Sequence, residues 1–389
     1  MLIEGFYKMN VVINAFSARR GGGQTYLLNL LQHLKENDDI KIFLLAPDSL
    51  QVPSNSKIVR VQVNWPTENP LLRSLWERRS LPRLLQKLNA DILFCPGGVI
   101  NTTVPKGCKT VTMFRNMIPF DPVQRAKYPL GLMRMRNWLL ERVMLKSMIN
   151  ADLIIFISNF ARQIVEERAG RHLKSAVTIP HGISSSFKIA DNDFVRRPEW
   201  LPAEDYLLYV SIFDVYKNQL EVVQGFHLLK QMRETREKLI LAGHSSSDYG
   251  LKVKNEIERL GMQDDVILAG NIPYTELPNV YYHAKLNIFA SECENCPNIL
   301  LEALGAGQPL LVSNRQPMPE FGGDAAIYFD PTSPEDIADK LISIIDDPLT
   351  MESLSKKARE RSIKYDWKNT ADETWRAIIS LNNSKELQK

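Results

Sequence analysis

LNIFASECENCPNILLEALGAGQPLLVS, residues 286–313, is the stretch whose reading decides the fold. Residues 286–290 are a short apolar run, the pattern of a buried strand. Residues 291–297 form a polar turn with two carboxylates, two thiols and an amide. Pro297 suits the first helical position, where its missing N–H has no intrahelical use. A helix is predicted over 298–306, with Ile299, Leu300, Ala303 and Leu304 apolar, and it stops at Gly307. Residues 310–313 are the next strand. Glu294 lies in the turn, and Glu302 falls eight residues later, in the second helical turn. A helix N-terminus offers N–H groups and positive dipole to an anion such as phosphate. Carboxylates flanking that spot suit neutral hydroxyls instead. The residues therefore point to a pocket for a ligand with both phosphate and polyol parts.

Around this stretch lies a chain of 389 residues, enough for about two domains. Its 44% hydrophobic and 24% charged content is that of an ordinary soluble globular protein. No apolar run approaches the roughly 18 residues that span a membrane. Residues 1–8 do not read as a signal peptide, because Glu4 interrupts them and no apolar core follows. Four cysteines make no disulfide framework. Cys293 and Cys296 form a C-x2-C, but no second pair or His-x3-His completes a zinc site. A reducing, cytoplasmic setting is expected. Net charge is only +3, yet residues 1–185 hold 25 Lys and Arg against 13 Asp and Glu, and residues 186–389 hold 23 against 32. Such asymmetry suggests that the first half meets an anionic partner, and nothing in it indicates nucleic acid.

In the first half, residues 10–15 (NVVINA) read as a buried strand, followed by Arg19, Arg20 and the glycines 21–23. Tyr26, Leu27, Leu30, Leu31 and Leu34 then recur at helical spacing, so a helix begins near Gly23 or Gln24. Strand, glycine loop and helix let backbone approach a ligand. The loop is not G-x-G-x-x-G, and no acidic residue closes the following strand, which disfavours an NAD site. Arg19 and Arg20 either meet phosphate or are solvated loop residues. Further strands are predicted at 40–46, 57–63, 91–95, 110–114, 153–157 and 177–179. Strands alternating with helices imply a parallel sheet with both faces covered. The ligand crevice of such a sheet lies at the strand carboxyl ends. That rim takes residues 95–98, which also read as a plain turn, together with Arg115-Asn116 and Ser158-Asn159.

Residues 106–148 hold nine Lys or Arg against Asp121 and Glu141. Within them, 130–148 (LGLMRMRNWLLERVMLKSM) reads as a basic amphipathic helix. It either lies on an anionic membrane surface or packs beside the strand at 153, with Trp138, Leu139 and Val143 turned inward. Packing is the expectation for those three side chains.

Residues 187–202 are polar, carry two prolines and read as a linker after Ile179-Pro-His-Gly-Ile183. A lone His181 is more often structural than catalytic. The second half opens with a strand at 206–211, then Ile212 to Asn218, then a helix burying Leu220, Val223, Phe226 and Leu229. Strands follow at 238–242, leaving through Gly243-His244, and at 266–270, leaving through Asn271-Ile272-Pro273. A short helix is predicted over 274–283. Beyond 313 come Glu320 to Gly323, a strand at 325–329 and a helix from Pro334 that buries Ile337, Leu341 and Ile344. The tail carries Trp367 and Trp375.

The segment SECENCPNILLEALGAGQP, with its Glu-x7-Glu, resembles the signature of the retaining glycosyltransferases of family 4. The resemblance covers most of the chain and is strongest over 206–330. It implies an α/β chain with the GT-B fold, two Rossmann-like domains with parallel sheets facing an interdomain cleft. Their expected bounds are 1–185 on the acceptor side and 206–365 on the nucleotide-sugar side. A linker joins them over 186–205, and a last helix over 366–389 crosses back to the first domain.

By the same resemblance the donor is a nucleotide diphosphate sugar, UDP- or GDP-linked, and its sugar is transferred with retention by same-face attack. No cofactor is implied. Glu302 binds the donor ribose hydroxyls, and Glu294 faces the sugar hydroxyls. The backbone of Asn295, Cys296, Pro297 and Asn298 lies near the sugar and distal phosphate. Lys217, with Asn218 beside it, stabilises charge on the leaving diphosphate. Ser211, Gly243 and His244 lie on the donor rim, and Asn271 and Ile272 hold the base through backbone. Gly22 and Gly23 line the cleft. The family usually places a cation where this chain has Ile212, and a His where it has Arg115. An arginine stays protonated and cannot be a base, but it can support phosphate charge or bind an acidic acceptor. No Asp-x-Asp metal motif stands near these residues, since Asp191-Asn-Asp193 falls in the linker. Metal independence is therefore expected.

The implied reaction is sugar transfer to a glycan or lipid-linked anionic acceptor in bacterial-type cell-surface polysaccharide assembly. It would take place in the cytoplasm, with peripheral contact at the inner face of an anionic membrane. A GT-B epimerase or phosphorylase, and a non-catalytic sugar-nucleotide-binding protein, fit the same residues.

Overall fold

The computed structural model describes residues 9–19, 21–35, 39–128, 131–173, 175–189 and 195–383. Residues 1–8, Arg20, Leu130 and 191–193 lie outside them, and with them the expectations on a leader, a loop cation, the basic helix's first residue and an Asp-x-Asp motif. The described residues fall into two compact units. The first comprises residues up to His181 together with those from Trp367 onward, and the second is Gly182–Asp366.

The first unit is built on β1 (Met9–Asn14), β2 (Ile40–Leu45), β3 (Ile58–Arg60), β4 (Ile92–Cys95), β5 (Lys109–Phe114), β6 (Leu153–Phe156) and β7 (Ala176–Thr178). They form one sheet in the order β3-β2-β1-β4-β5-β6-β7, and every pairing is parallel. The apolar runs have the cause expected of them. Val11, Val12, Ile13, Leu93, Phe94, Ile155 and Phe156 are fully or almost fully buried, because helices cover both faces of such a sheet. The last helix, Trp367–Asn383, packs in this unit against the helix Gly22–Gln32. Trp375 Nε1 donates to Leu30 O at 3.0 Å, Tyr26 Oη meets Thr374 Oγ1 at 3.3 Å, and Lys35 pairs with Asp372 at 2.9 Å. Burying one such indole contributes about 3 kcal/mol. His181 stacks between Tyr26 and Trp367, with ring centroids at 5.5 and 5.3 Å, which is a structural setting.

The second unit holds β8 (Tyr206–Val210), β9 (Lys238–Ala242), β10 (Val266–Gly270), β11 (Leu286–Phe289), β12 (Leu310–Ser313) and β13 (Ile327–Phe329). Their order is β10-β9-β8-β11-β12-β13, again parallel throughout. In both sheets the strand order reverses once, between β1 and β4 and between β8 and β11. Ligand crevices of such sheets open beyond the carboxyl ends at that reversal. Each unit is thus a parallel α/β, Rossmann-like domain.

Three local expectations need correction. Pro297 is not the first helical residue but the N-cap of Asn298–Ala306. Its ψ of 83° is non-helical, while its carbonyl already accepts from Leu301 N at 3.0 Å. The first helix starts at Gly22, slightly earlier than predicted, since Gly21 supplies the positive φ of 62° that turns the chain into it. The third correction concerns the basic helix, which runs Leu132–Asn150. Trp138, Leu139 and Val143 are exposed, and Asn137, Met144, Ser147 and Met148 are buried instead. Ser147 fixes this rotation, because its Oγ accepts from Ile100 N at 3.1 Å and donates to Val143 O at 2.9 Å.

Candidate functional site

In the second unit the loops after β8 and β11 leave from adjacent strands at the sheet's reversal point, and Lys217 and Glu294 sit on them. Lys217 is only 5% exposed, and its Nζ donates to Glu294 Oε1 in an enclosed ion pair. Several bonds hold the lysine loop rigid. Tyr209 Oη donates to Lys217 O at 2.6 Å, Lys217 N to Asp214 O at 2.9 Å, and Gln219 Nε2 to Ile212 O at 2.9 Å. Asn218 takes the left-handed φ of 54°, which asparagine tolerates, and its Nδ2 donates to Ala290 O at 3.0 Å. Thus one side chain ties the β8 loop to the end of β11. Glu292 N donates to Tyr216 O at 2.8 Å and closes the same junction. The Lys217 ammonium also lies 5.0 Å from the Tyr216 ring centroid and 5.5 Å from that of Phe289, so two aromatic faces back the cation.

The rim continues across the sheet. Ser211 N donates to Ala242 O at 2.8 Å, Phe213 N to His244 O at 3.0 Å, and Gly243 N to Gly270 O at 2.7 Å. The ends of β8, β9 and β10 are thereby laced together. Gly243 has a φ of 144°, and a Cβ there would lie 1.9 Å from Ser211 O. Gly243→Ala is therefore expected to cost at least about 2–3 kcal/mol. A thermal melt checks this, with a Tm drop of roughly 5–10 °C expected and an unchanged Tm contradicting so tight a rim. His244 and Asn271 are exposed beyond these strand ends, with Ile272 partly enclosed.

Asn295, Cys296 and Pro297 are buried in the turn before Asn298–Ala306, and Asn298 N donates to Cys296 O at 3.0 Å. Among the described residues no side-chain cap bond closes the start of that helix. One helical turn in, Glu302 accepts from Tyr274 Oη at 3.1 Å. Burial pushes the Glu302 carboxyl up to about 7, against the opposing effect of the Tyr274 hydrogen bond. Tyr274 was legible in the sequence only as the start of a short helix. Its signal was its place, four residues past the end of β10, in the loop that leads back toward the Glu-x7-Glu segment.

The second unit thus brings together Lys217, Asn218, Ser211, Gly243, Glu294, Asn295, Cys296, Pro297, Asn298 and Glu302 at the carboxyl rim. Ile212, at the position where a cation was expected by resemblance, is 54% exposed and offers no charge. Cys293 and Cys296 are buried and form no disulfide. Among the described residues no three His, Cys, Asp or Glu side chains form a metal-binding group.

The first unit assembles a second cluster. Arg115, just past β5, donates weakly from Nη1 to Gly22 O at 3.5 Å, and its guanidinium lies against Gly23, where a Cβ would stand 2.9 Å from Nη2. A side chain at position 23 would therefore have to displace the end of the arginine. Burial lowers the Arg115 pKa from its ordinary value, with Tyr26 nearby opposing. The 95–98 turn meets the same loop, since a Cβ on Gly97 would fall 2.2 Å from Ser17 Oγ. Arg19 is tied down by Thr67 O at 2.8 Å. Gly22, Gly23 and Arg115 therefore stand together within their own unit.

Residues 20–187 match the family described as Glycosyltransferase Family 4, and residues 192–361 match Glycosyl transferases group 1. An O-antigen chain mannosyltransferase B of Escherichia coli is 24% identical over 62% of this chain and 64% of its own length. The sulfoquinovosyl transferase SQD2 of Arabidopsis thaliana is 25% identical over 40% of this chain and 30% of its own. The chain therefore spans less than two thirds of the length of these relatives. Among solved structures, sucrose-phosphate synthase of Thermosynechococcus elongatus superposes with a TM-score of 0.73 at 15% identity, over 97% of this chain and all of that one. Anabaena HepE in complex with UDP-glucose superposes at 0.70 and 14% identity, over 96% of this chain and all of that one. Both shapes agree with the two parallel sheets and their reversal points. The chain belongs to the group 1, family 4 glycosyltransferases, with their GT-B fold.

Proposed function

We propose that this protein is a retaining glycosyltransferase that moves a sugar from a nucleotide diphosphate sugar to a glycan or lipid-linked acceptor, without a metal ion. The observation that carries the reading is the pairing of Lys217 with Glu294 at the reversal of the second sheet, with Glu302 one turn into the adjoining helix. In this reading Lys217 turns from Glu294 to the departing diphosphate, where charge develops as the glycosidic bond breaks. Glu294 then accepts from sugar hydroxyls. The N-terminus of Asn298–Ala306 faces the distal phosphate. Glu302, ionised, accepts from the ribose hydroxyls, and Asn271 and Ile272 border the base. Ser211, Gly243 and His244 shape the rim, with Asn218 holding the lysine loop in register. Gly22, Gly23 and Arg115 serve the anionic acceptor or the leaving phosphate.

Relatives narrow the candidates. The E. coli relative is named for mannosyl transfer to an O-antigen chain, and the Anabaena neighbour holds UDP-glucose. A hexosyl donor on UDP or GDP, used in cell-surface polysaccharide assembly at the inner face of the cytoplasmic membrane, is the reading they support. A thermal-shift panel of UDP-, GDP-, ADP- and dTDP-sugars tests it. The cognate donor at a hundredfold excess over Kd stabilises by about 2.7 kcal/mol, a Tm rise of roughly 5–10 °C. A flat response to every nucleotide sugar would overturn the reading. A rise with no transfer to any acceptor would mark a non-catalytic binder.

A further inference from the structure

The helix Pro70–Arg79 is bonded to the ends of β1 and β4, the two strands at the reversal of the first sheet. Asn14, the last residue of β1, donates from Nδ2 to Glu77 Oε1 at 2.9 Å. The Phe16 and Trp76 rings meet edge to face at 5.8 Å, and Asn101 Nδ2, in the loop after β4, donates to Ser74 O at 3.0 Å. Two guanidiniums converge on this junction. Arg19 reaches Phe16 O from Nε at 3.5 Å, and Arg73 reaches the same oxygen from Nη1 at 3.4 Å. Arg19 Nη2 also donates to Thr67 O at 2.8 Å. Both arginines are therefore positioned by rigid elements of the fold.

One neutral carbonyl is poor compensation for two cations. The carboxylate that reaches Arg73 is Glu77, 4.0 Å from Nε, and it is already engaged by Asn14 and, at 3.4 Å, by Asn101 Nδ2. Among the described residues Arg19 pairs with no carboxylate. Burial lowers the Arg73 pKa from its ordinary value; Glu77 opposes this and Arg19 adds to it, as a like charge close by does. The Arg73 side chain keeps 21% of its surface in solvent and Arg19 is exposed, so the pair is open to a ligand. Its place is the carboxyl-end crevice of a reversing parallel sheet, where such folds bind ligands. Guanidinium forks match phosphate oxygens, and a phosphate monoester carries about two negative charges near neutral pH, one for each arginine. A carboxylate carries only one.

We propose that Arg19 and Arg73 form a subsite for a phosphate group carried by the acceptor, at the reversal of the first sheet. The phosphate oxygens bridge the two guanidiniums, and the Asn14–Glu77 bond holds the helix that carries Arg73 against β1. The inference rests on the reading that the first unit takes an anionic acceptor, and it names the chemical class of the anion. Its test contains no sugar donor, so the subsite and the transferase reading fail separately.

The full chain, in excess UDP and GDP so that the rim of the second unit is occupied, is titrated by calorimetry with inorganic phosphate, glycerol 3-phosphate and acetate. Both phosphates are expected to bind, the ester at least as tightly as the free ion, and acetate at least about tenfold more weakly. Arg19→Gln and Arg73→Gln should each weaken both phosphates about tenfold or more. Arg73→Lys keeps the charge without the planar fork and should recover part of that loss. In phosphate-free buffer Arg19→Gln should melt at or above the wild-type Tm, because it separates like charges, whereas loss of a strut between residues 16 and 67 would lower it. Arg19 is exposed, so Arg19→Gln carries the test by itself if Arg73→Gln does not fold. Absence of phosphate binding by the wild type, undiminished binding by Arg19→Gln, or acetate bound as tightly as phosphate would overturn the proposal. So would binding of inorganic phosphate with the ester excluded, which would mark an adventitious ion only.

Discussion

Lys217→Ala is expected to lower kcat/KM for sugar transfer on the order of a thousandfold. Removing a preorganised charge that meets developing negative charge typically costs two to three orders of magnitude. The setting in this chain is at the high end, because the ammonium is enclosed and Ile212 supplies no second cation nearby. The same substitution has a second, separable consequence. It leaves Glu294 as a largely enclosed carboxylate without its partner, which costs about 3 kcal/mol of stability. Adding Glu294→Gln to Lys217→Ala should restore most of that stability while leaving transfer as slow as before. Kinetics and melts on the two singles and the double read the two effects apart. Near-normal turnover by Lys217→Ala would remove the lysine from the site. A double variant no more stable than Lys217→Ala would remove the ion pair from the stability argument.

Glu302→Gln carries the other large effect, and pH separates its parts. The carboxyl is held at about 7 by burial, above its ordinary 4.5. The folded state therefore binds this proton more tightly than the unfolded chain. Its contribution to wild-type stability falls as pH rises from about 4.5 to about 7, and is then level. The total over that window is about 3 kcal/mol. Glutamine has no charge to desolvate, so the variant should be more stable than wild type at pH 8, and the gap should close toward pH 5. Binding moves the opposite way. An ionised carboxylate accepts from both ribose hydroxyls, whereas a protonated one, or an amide, presents a donor where an acceptor is needed. Donor affinity of the wild type should therefore drop as pH falls below about 7. Glu302→Gln should bind donor about 10–100-fold more weakly at pH 8, with little dependence on pH. Titration calorimetry at several pH values gives both curves. A pH-independent wild-type affinity, or a variant that binds as well as wild type, would take Glu302 out of the donor site.

Tyr274 belongs to the same experiment, because its hydroxyl is the proton donor that steadies Glu302 in the free protein. A ribose that engages Glu302 competes for the lone pairs Tyr274 uses. Glu294 and Glu302 thus resemble each other in one respect. Each is satisfied in the unliganded fold by a side chain far away in sequence, Lys217 for Glu294 and Tyr274 for Glu302. Neither is left as an uncompensated buried acceptor.

The sequence alone determined the elements and much of the chemistry. Short apolar runs located the strands of both sheets, because buried parallel strands need apolar side chains on both faces. The spacing of Glu294 and Glu302 and the stop at Gly307, whose φ is 71°, followed from local rules that depend on neighbours a few residues away. The tertiary structure alone decided everything that depends on distant neighbours. The strand orders put β8 beside β11, and only that adjacency carries Lys217 to Glu294 across 77 residues. Trp375 meets Leu30 across 345 residues, which no periodicity in the tail foretells. The Leu132–Asn150 helix is the clearest case. Its apolar residues lie on both sides, so hydrophobic period could not say which side faces inward. One buried hydroxyl, Ser147 bonded to Ile100, settled the rotation, and left Leu132, Leu139 and Trp138 in solvent.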